Sequence, residues 1–336
     1  MSSLGSWAAA LPVIFMALMG LAMLAYVVLD GYDLGVGLLL PRAADAAEND
    51  TMIASIGPFW DANETWLVLG VGILLIAFPK AHGIIMAALY LPVALMLLGL
   101  ILRGVAFDFR VKAQAAHRPL WNAAFTVGSG LAASAQGWML GRYITGLAEG
   151  WPYWLFAGAI ALLLPAAYVL MGACWLVMKT DGALQQRAVR WARMAWPPMV
   201  LGLGLISLAT PVVSATVRER WFALPEFLAL LPVPLSTLAA LLAQRALLAS
   251  PRVLGRLCGL PFLLLVAVFV LGALGLTYSL FPYVLIDRLT VWQAASATES
   301  LAVIAIGCAV TVPAIVGYTV FAYRVFWGKA RPLQYA

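Results

Sequence analysis

Runs of about 20 consecutive apolar residues, parted by short polar or Gly/Pro breaks, recur from one end of this chain to the other. A helix of that length crosses a hydrocarbon core roughly 30 Å thick, and within lipid the backbone must satisfy its own hydrogen bonds. Transmembrane helices are therefore the expected fold. With 64% hydrophobic and only 10% charged residues among 336, a water-soluble globule is excluded. The formal charge of +6 does not point to nucleic acid, because the basic residues are scattered over short connections and form no stripe. No basic residue precedes Arg42, and the first apolar run outlasts a signal-peptide core, so it is expected to stay as a helix. Cys174, Cys258 and Cys308 stand far apart inside apolar runs, without a CxxC, and read as packing residues.

The pattern predicts an all-α polytopic protein, a single integral membrane domain over residues 1–336. Its nine helices are expected at about Leu11 to Leu40, Ile53 to Phe78, Gly83 to Arg103, Leu120 to Tyr143, Pro152 to Met178, Ala195 to Ala215, Phe222 to Leu247, Cys258 to Phe281 and Val291 to Tyr323. Pro225, Pro232 and Pro234 are expected to split or kink the seventh. Nine spans put the termini on opposite sides. With the N-terminus outside, fifteen of the 20 Lys and Arg fall on the cytoplasmic side, from Arg42 to Arg331, and Lys80, Arg142, Arg218, Arg220 and Arg288 on the outer side. An inner-membrane protein with N-terminus out and C-terminus in is expected. Trp151, Trp154, Trp191, Trp196, Trp221 and Trp327 fall near the drawn helix ends, as headgroup-level rings do.

A carboxylate at the bilayer centre costs about 2.5 to 3.5 kcal/mol on insertion scales, so each one asks for a reason. In the first helix, Asp30 and Asp33 share a face with Tyr26 and Gly37, while Gly31 and Gly35 form a small-xxx-small pair that admits a close neighbour. In the second, Trp60-Asp61-Ala62-Asn63-Glu64-Thr65-Trp66 puts Asp61 and Glu64 on one face. By the derived orientation all four lie in the inner half of the membrane, with Asp108 at the same level. Five acids could line one cytoplasm-facing cavity suited to proton transfer. The plainer alternatives are hydrogen bonds from Asp30 and Asp33 to neighbouring helices, and an interfacial ion pair of Asp108 with Arg103 or Arg110. Glu299, on the outer side, needs a separate explanation. His82 and His117 are too few and too peripheral for a chain that holds several haems, so redox metals would belong to a partner.

The segments Asp30-Gly31-Tyr32-Asp33-Leu34-Gly35-Val36-Gly37, Trp60-Asp61-Ala62-Asn63-Glu64-Thr65-Trp66 and Phe107-Asp108-Phe109-Arg110 resemble subunit II of the cytochrome bd quinol oxidases. The likeness continues more weakly through Phe281-Pro282-Tyr283-Val284 and Leu289-Thr290-Val291-Trp292. The resemblance implies two four-helix bundles plus one further helix, with pseudo-repeat halves at about 1–150 and 151–336. It implies a haem-bearing subunit I with two b-type haems and haem d, or haem b in its place, and leaves a small accessory subunit and a quinone bound to this chain open. The implied complex, an oxidoreductase of the respiratory chain, oxidises quinol at the outer side and reduces dioxygen to water with cytoplasmic protons. Position by position, Asp61 matches an acid of a cytoplasmic proton path, Trp66 matches an aromatic residue on a dioxygen route, and Asp30, Asp33, Asp108 and Arg103 match further motif positions. Gln293 stands where many members carry an acid, and Glu64 where others are uncharged. Short loops resemble the compact branch called cyanide-insensitive.

The rival expectation is a proton-coupled secondary transporter, which also uses intramembrane acids beside Gly-rich breaks. A carrier should repeat its polar breaks in both halves, whereas here the acids crowd into the first three helices. A purely structural membrane subunit is the third class.

Overall fold

A computed structural model describes residues 2–330; the side chains of residues 2–6 and 8, and Arg331 of the expected inner basic set, lie outside the described residues. The chain is helical almost throughout. Helix α1 (Ser2–Leu39) leads to the short α2 (Ala46–Ile56), followed by α3 (Trp60–Ala77), α4 (Pro79–Lys112), α5 (Arg118–Ile144), α6 (Trp151–Lys179) and α7 (Gly182–Val213). Three shorter helices, α8 (Ala215–Phe222), α9 (Glu226–Leu230) and α10 (Pro232–Ala249), precede α11 (Leu260–Leu280). Strands β1 (Tyr283–Leu285) and β2 (Leu289–Thr290) pair antiparallel, and α12 (Val291–Ala294) and α13 (Thr298–Val325) complete the described chain.

Among the described residues eight spans are long and apolar enough to cross a membrane, one of them, Glu226–Ala249, joining α9 and α10. The 27-residue α5 is as long but less apolar, and it buries Ser129, Gln136 and Arg142 against protein. Helices α1, α3, α4 and α5 close one ring of contacts, and α6, α7, α10 and α11 close a second. The rings join where α6 meets α1 and α5, and α13 lies outside them against α3 and α1.

Two glycine contacts set these approaches. A Cβ on Gly35 would lie 1.8 Å from the Tyr168 carbonyl oxygen, and one on Gly172 would lie 2.4 Å from the Gly35 carbonyl carbon, so α1 and α6 meet backbone to backbone. Gly99 of α4 and Gly128 of α5 meet in the same way, their added Cβ atoms 2.7 and 2.6 Å from each other's carbonyl oxygen. Between the rings sits an aromatic core: Trp175 stacks on Tyr32 at 4.0 Å between centroids and takes Phe59 and Phe262 on their edges.

Several drawn boundaries need correction. The second expected span divides at Gly57-Pro58-Phe59, because Pro58 offers no N–H; α2 ends at Ile56 and α3 starts at Trp60. Asp45 caps α2 by accepting from the Glu48 N–H at 2.8 Å. Helix α4 runs nine residues beyond Arg103, so Asp108 sits within it, and Pro92 kinks it where Leu89 leaves helical geometry (φ −116°, ψ 16°). Helix α7 starts at Gly182 instead of Ala195, which puts Arg187, Arg190 and Arg193 on the helix; Trp191 is buried in the core and is no headgroup ring. Trp196 likewise sits within α7, beneath the Arg245 guanidinium at 4.9 Å. The seventh span splits into α9 and α10 at Leu231, between the flagged prolines. The ninth begins at Thr298, after α12, where Gln293 completes a capping box with Thr290. Glu299 is exposed in the first turn of α13, where the helix dipole favours an acid.

Candidate functional site: a buried acid cluster

The connections fall into two sets, at opposite ends of the bundle. One end carries residues 40–59, 112–118, 179–182, 250–259 and 326–330; ion pairs hold α2 there. Arg110 of α4 reaches Asp50 at 2.5 Å and donates to Asn122 of α5 at 2.5 Å, and Arg187 of α7 pairs with Glu48. About 14 Å inward from that end, at ~1.5 Å of rise per residue, α4 presents Arg103 to the interior. Its Nη1 lies 2.6 Å from Asp30 Oδ1 of α1, and its Nη2 donates to Glu64 Oε1 of α3. Arg103 and Asp30 are fully buried, whereas the Glu64 side chain is 27% exposed.

Asp33, one turn along α1, is also fully buried, and its Oδ2 accepts from Asn63 Nδ2 of α3 at 2.7 Å. The second hydrogen of that amide is shared between Tyr32 Oη, 2.9 Å from the nitrogen, and the Leu29 carbonyl at 3.2 Å. Tyr323 of α13 lies 2.5 Å from Tyr32, hydroxyl to hydroxyl, and donates to Asn63 Oδ1 at 3.3 Å. A second polar bridge sits one turn earlier on α1: Gln136 of α5 donates to Tyr26 at 2.8 Å and accepts from Tyr168 of α6 at 2.6 Å. Three acids thus surround one guanidinium. A carboxylate that ionises here is held by Arg103 or Asn63 and not by bulk water.

The structure brings together Asp30, Asp33, Glu64 and Arg103, and sets Asp61 and Asp108 apart. Asp61 is exposed in the first turn of α3, one turn nearer the loop end than Glu64. Asp108 is exposed on α4 and makes no ion pair among the described residues: Arg103 is engaged by Asp30 and Glu64, and Arg110 by Asp50. The expected ion pair of Asp108 is therefore corrected. Trp66 is buried among Ala22, Tyr26, Leu34, Leu67 and Leu100, an apolar setting. Tyr168 and Met171 of α6 fill the space beside Gly31.

Sequence reasoning missed the roles of Asn63, Tyr323 and Gln136. Asn63 and Gln136 left a signal, as amides inside apolar runs; Tyr323 left none, since a tyrosine near a helix end reads as an interfacial anchor. His82 is half-buried at the start of α4 and His117 is exposed between α4 and α5, at opposite ends of the bundle. Neither faces the acid cluster, so the described histidines do not fit a haem inside the bundle.

A family model described as cytochrome bd terminal oxidase subunit II matches residues 11–326. The chain is 29% identical to cytochrome bd ubiquinol oxidase subunit 2 of Bacillus subtilis over 326 residues, covering 89% of this chain and 90% of the relative. It is 25% identical to a probable cytochrome oxidase subunit 2 of Haemophilus influenzae over 358 residues, covering 91% and 92%. The fold is similar to a chain in the structure of the bd oxidase from Geobacillus thermodenitrificans, with a TM-score of 0.76, 19% identity and coverage of 95% of this chain and 99% of that one. A match that takes in both helix rings, α13 and the segments bearing Asp30, Glu64 and Arg103 leads to one conclusion: the chain belongs to the cytochrome bd terminal oxidase subunit II family.

Proposed function

We propose that this subunit supplies part of the route by which cytoplasmic protons enter the oxidase complex, with Asp61 at the mouth, Glu64 next, and Asp30 and Asp33 about Arg103 at the inner end. The observation that carries it is a graded exposure along adjoining helix faces: Asp61 is open, Glu64 is 27% exposed, and Asp30, Asp33 and Arg103 are buried. Asp61 and Glu64 lie three residues apart on α3, and Glu64 touches the same guanidinium as Asp30. Carboxylates can take up and release the proton, while Arg103 stays charged and holds two of them in place. Asp108, exposed on α4, is proposed to face the same aqueous approach.

This places the loop end with most basic residues in the cytoplasm, the N-terminus outside and the C-terminus inside the bacterial inner membrane. The haem-bearing subunit I is proposed to cover the exposed flank of α3. It would hold two b-type haems and haem d, or haem b in its place, where quinol electrons reduce dioxygen to water. The dry cluster about Trp66 supports a path for dioxygen, which is more soluble in apolar surroundings than in water. Two rings of four helices either side of Gly150 support pseudo-repeat halves at 1–150 and 151–336 within a single membrane domain.

Asp61→Asn tests the proposal in the purified complex. Haem absorption should be retained and quinol oxidase turnover should fall at least about tenfold, the scale of losing a positioned proton-transfer group. Unchanged turnover in a fully assembled variant removes Asp61 from the route, and loss of haem absorption together with turnover assigns it a structural role.

A further inference from the structure

The hydrogen bonds around Asn63 close on themselves, and the donor side that faces Asp33 sets their direction. Asp33 needs a donor at Oδ2, so the amide N–H side of Asn63 faces it, and the same nitrogen donates to Tyr32 Oη. Having accepted there, Tyr32 directs its own hydrogen to Tyr323 Oη, 2.5 Å away. Tyr323 in turn directs its hydrogen to Asn63 Oδ1. The result is a closed ring, Asn63 to Tyr32 to Tyr323 and back to Asn63, drawn from α3, α1 and α13. An amide flip would reverse the ring and turn Oδ1 towards the Asp33 carboxylate.

Tyr323 is itself held from the loop end. Its ring packs on Phe59 at 4.6 Å, and the Lys179 ammonium stands over Phe59 and Trp175 at 5.1 and 5.0 Å. Lys179 Nζ donates to the Phe326 carbonyl at 2.9 Å, the Ala330 N–H donates to the Lys179 carbonyl at 2.7 Å, and Lys329 donates to the Thr180 carbonyl at 2.8 Å. The segment after α13 is thereby strapped across the turn between α6 and α7.

We propose that Tyr323 is a positioning residue for Asp33: its hydroxyl anchors the Asn63 carbonyl from α13 and so holds the amide N–H against the carboxylate. The proposal rests on the proton-route reading of the acid cluster and extends it to a helix outside both rings. The charged and titratable groups around Asp33 are Asp30 and Tyr32 of its own helix, Glu64 of α3, Arg103 of α4 and Tyr323 of α13. Tyr323 is linked to Asp33 through its hydrogen bonds to Asn63 and Tyr32.

The test compares Tyr323→Phe, Tyr32→Phe, Asp33→Asn and the pair Tyr323→Phe with Asp33→Asn in the purified oxidase complex, reading haem absorption, turnover and the pH profile of turnover. Tyr323→Phe should keep the haem spectrum, lower turnover by about two- to tenfold, the scale of one net hydrogen bond, and displace the pH profile. Tyr32→Phe should lose less, because Tyr323 can still donate to Asn63 Oδ1. The paired variant should be no slower than Asp33→Asn alone, since an orienting residue has nothing left to orient. Wild-type turnover and pH profile in Tyr323→Phe, multiplying losses in the paired variant, or a lost haem spectrum would each overturn the proposal. Wild-type turnover in Asp33→Asn would instead remove Asp33 from the proton route. That variant alone separates the two failures.

Discussion

At the residue scale, Arg103 carries the site. Taking a guanidinium and two carboxylates out of water is costly, and the arrangement persists because each charge has a partner at contact distance. Arg103→Gln keeps hydrogen-bonding capacity but leaves Asp30 and Glu64 without a counter-charge. The expected loss is about 3 to 5 kcal/mol of stability, seen as a lowered unfolding midpoint of the detergent-purified complex. Part of this site was legible in advance. Asp30, Asp33 and Glu64 stood out because an acid inside an apolar run is costly, and helical spacing put the first two on one face. Their partner was not legible, because Arg103 lies near the end of an apolar run, where a basic residue reads as an interfacial anchor until α4 is seen to continue to Lys112. Asp61 and Asp108 show the converse limit: spacing fixes the helix face, and the rotation of that face relative to the neighbouring helices comes only from packing.

At the element scale, the contact between α1 and α6 joins the two rings, and it depends on glycines where the backbones touch. Gly35→Val would force the helices apart and is expected to abolish accumulation of the assembled complex, measured as haem absorption per unit of membrane. Gly204→Ala is the matched control: an added Cβ there meets nothing within 4 Å, so yield should hold and stability rise by up to about 1 kcal/mol from the lost backbone freedom of glycine. The bounds of α5, α6 and α11 were readable from the apolar runs to within two residues. The boundaries that moved did so for local reasons. Pro58 divided what looked like one run, and α7 began early because its first turns bury Leu184, Ala188, Val189 and Trp191 on one side while arginines face outward, a pattern that hydropathy averages away.

At the scale of the whole molecule, the charge distribution is the ground for the proposed orientation, with the C-terminus inside. A fluorescent protein fused after residue 336 should fluoresce, and an alkaline phosphatase fused there should be inactive; the reverse would invert the topology and put the acid cluster on the outer side. The same scale accounts for what the sequence could not reveal about Tyr323. Its partners are 291 and 260 positions away along the chain, so no local pattern could announce the contact. The strap of residues 326–330 over the α6–α7 turn also bears on biogenesis. Helices enter the bilayer in the order in which the ribosome makes them, and α13 follows every other span. Until it docks, Asn63 has no phenol from α13 on its carbonyl and the flank of α3 beside Asp33 stays open to lipid, so a nascent chain stalled before Tyr323 would carry an unfinished polar interior that membrane quality-control proteases can recognise.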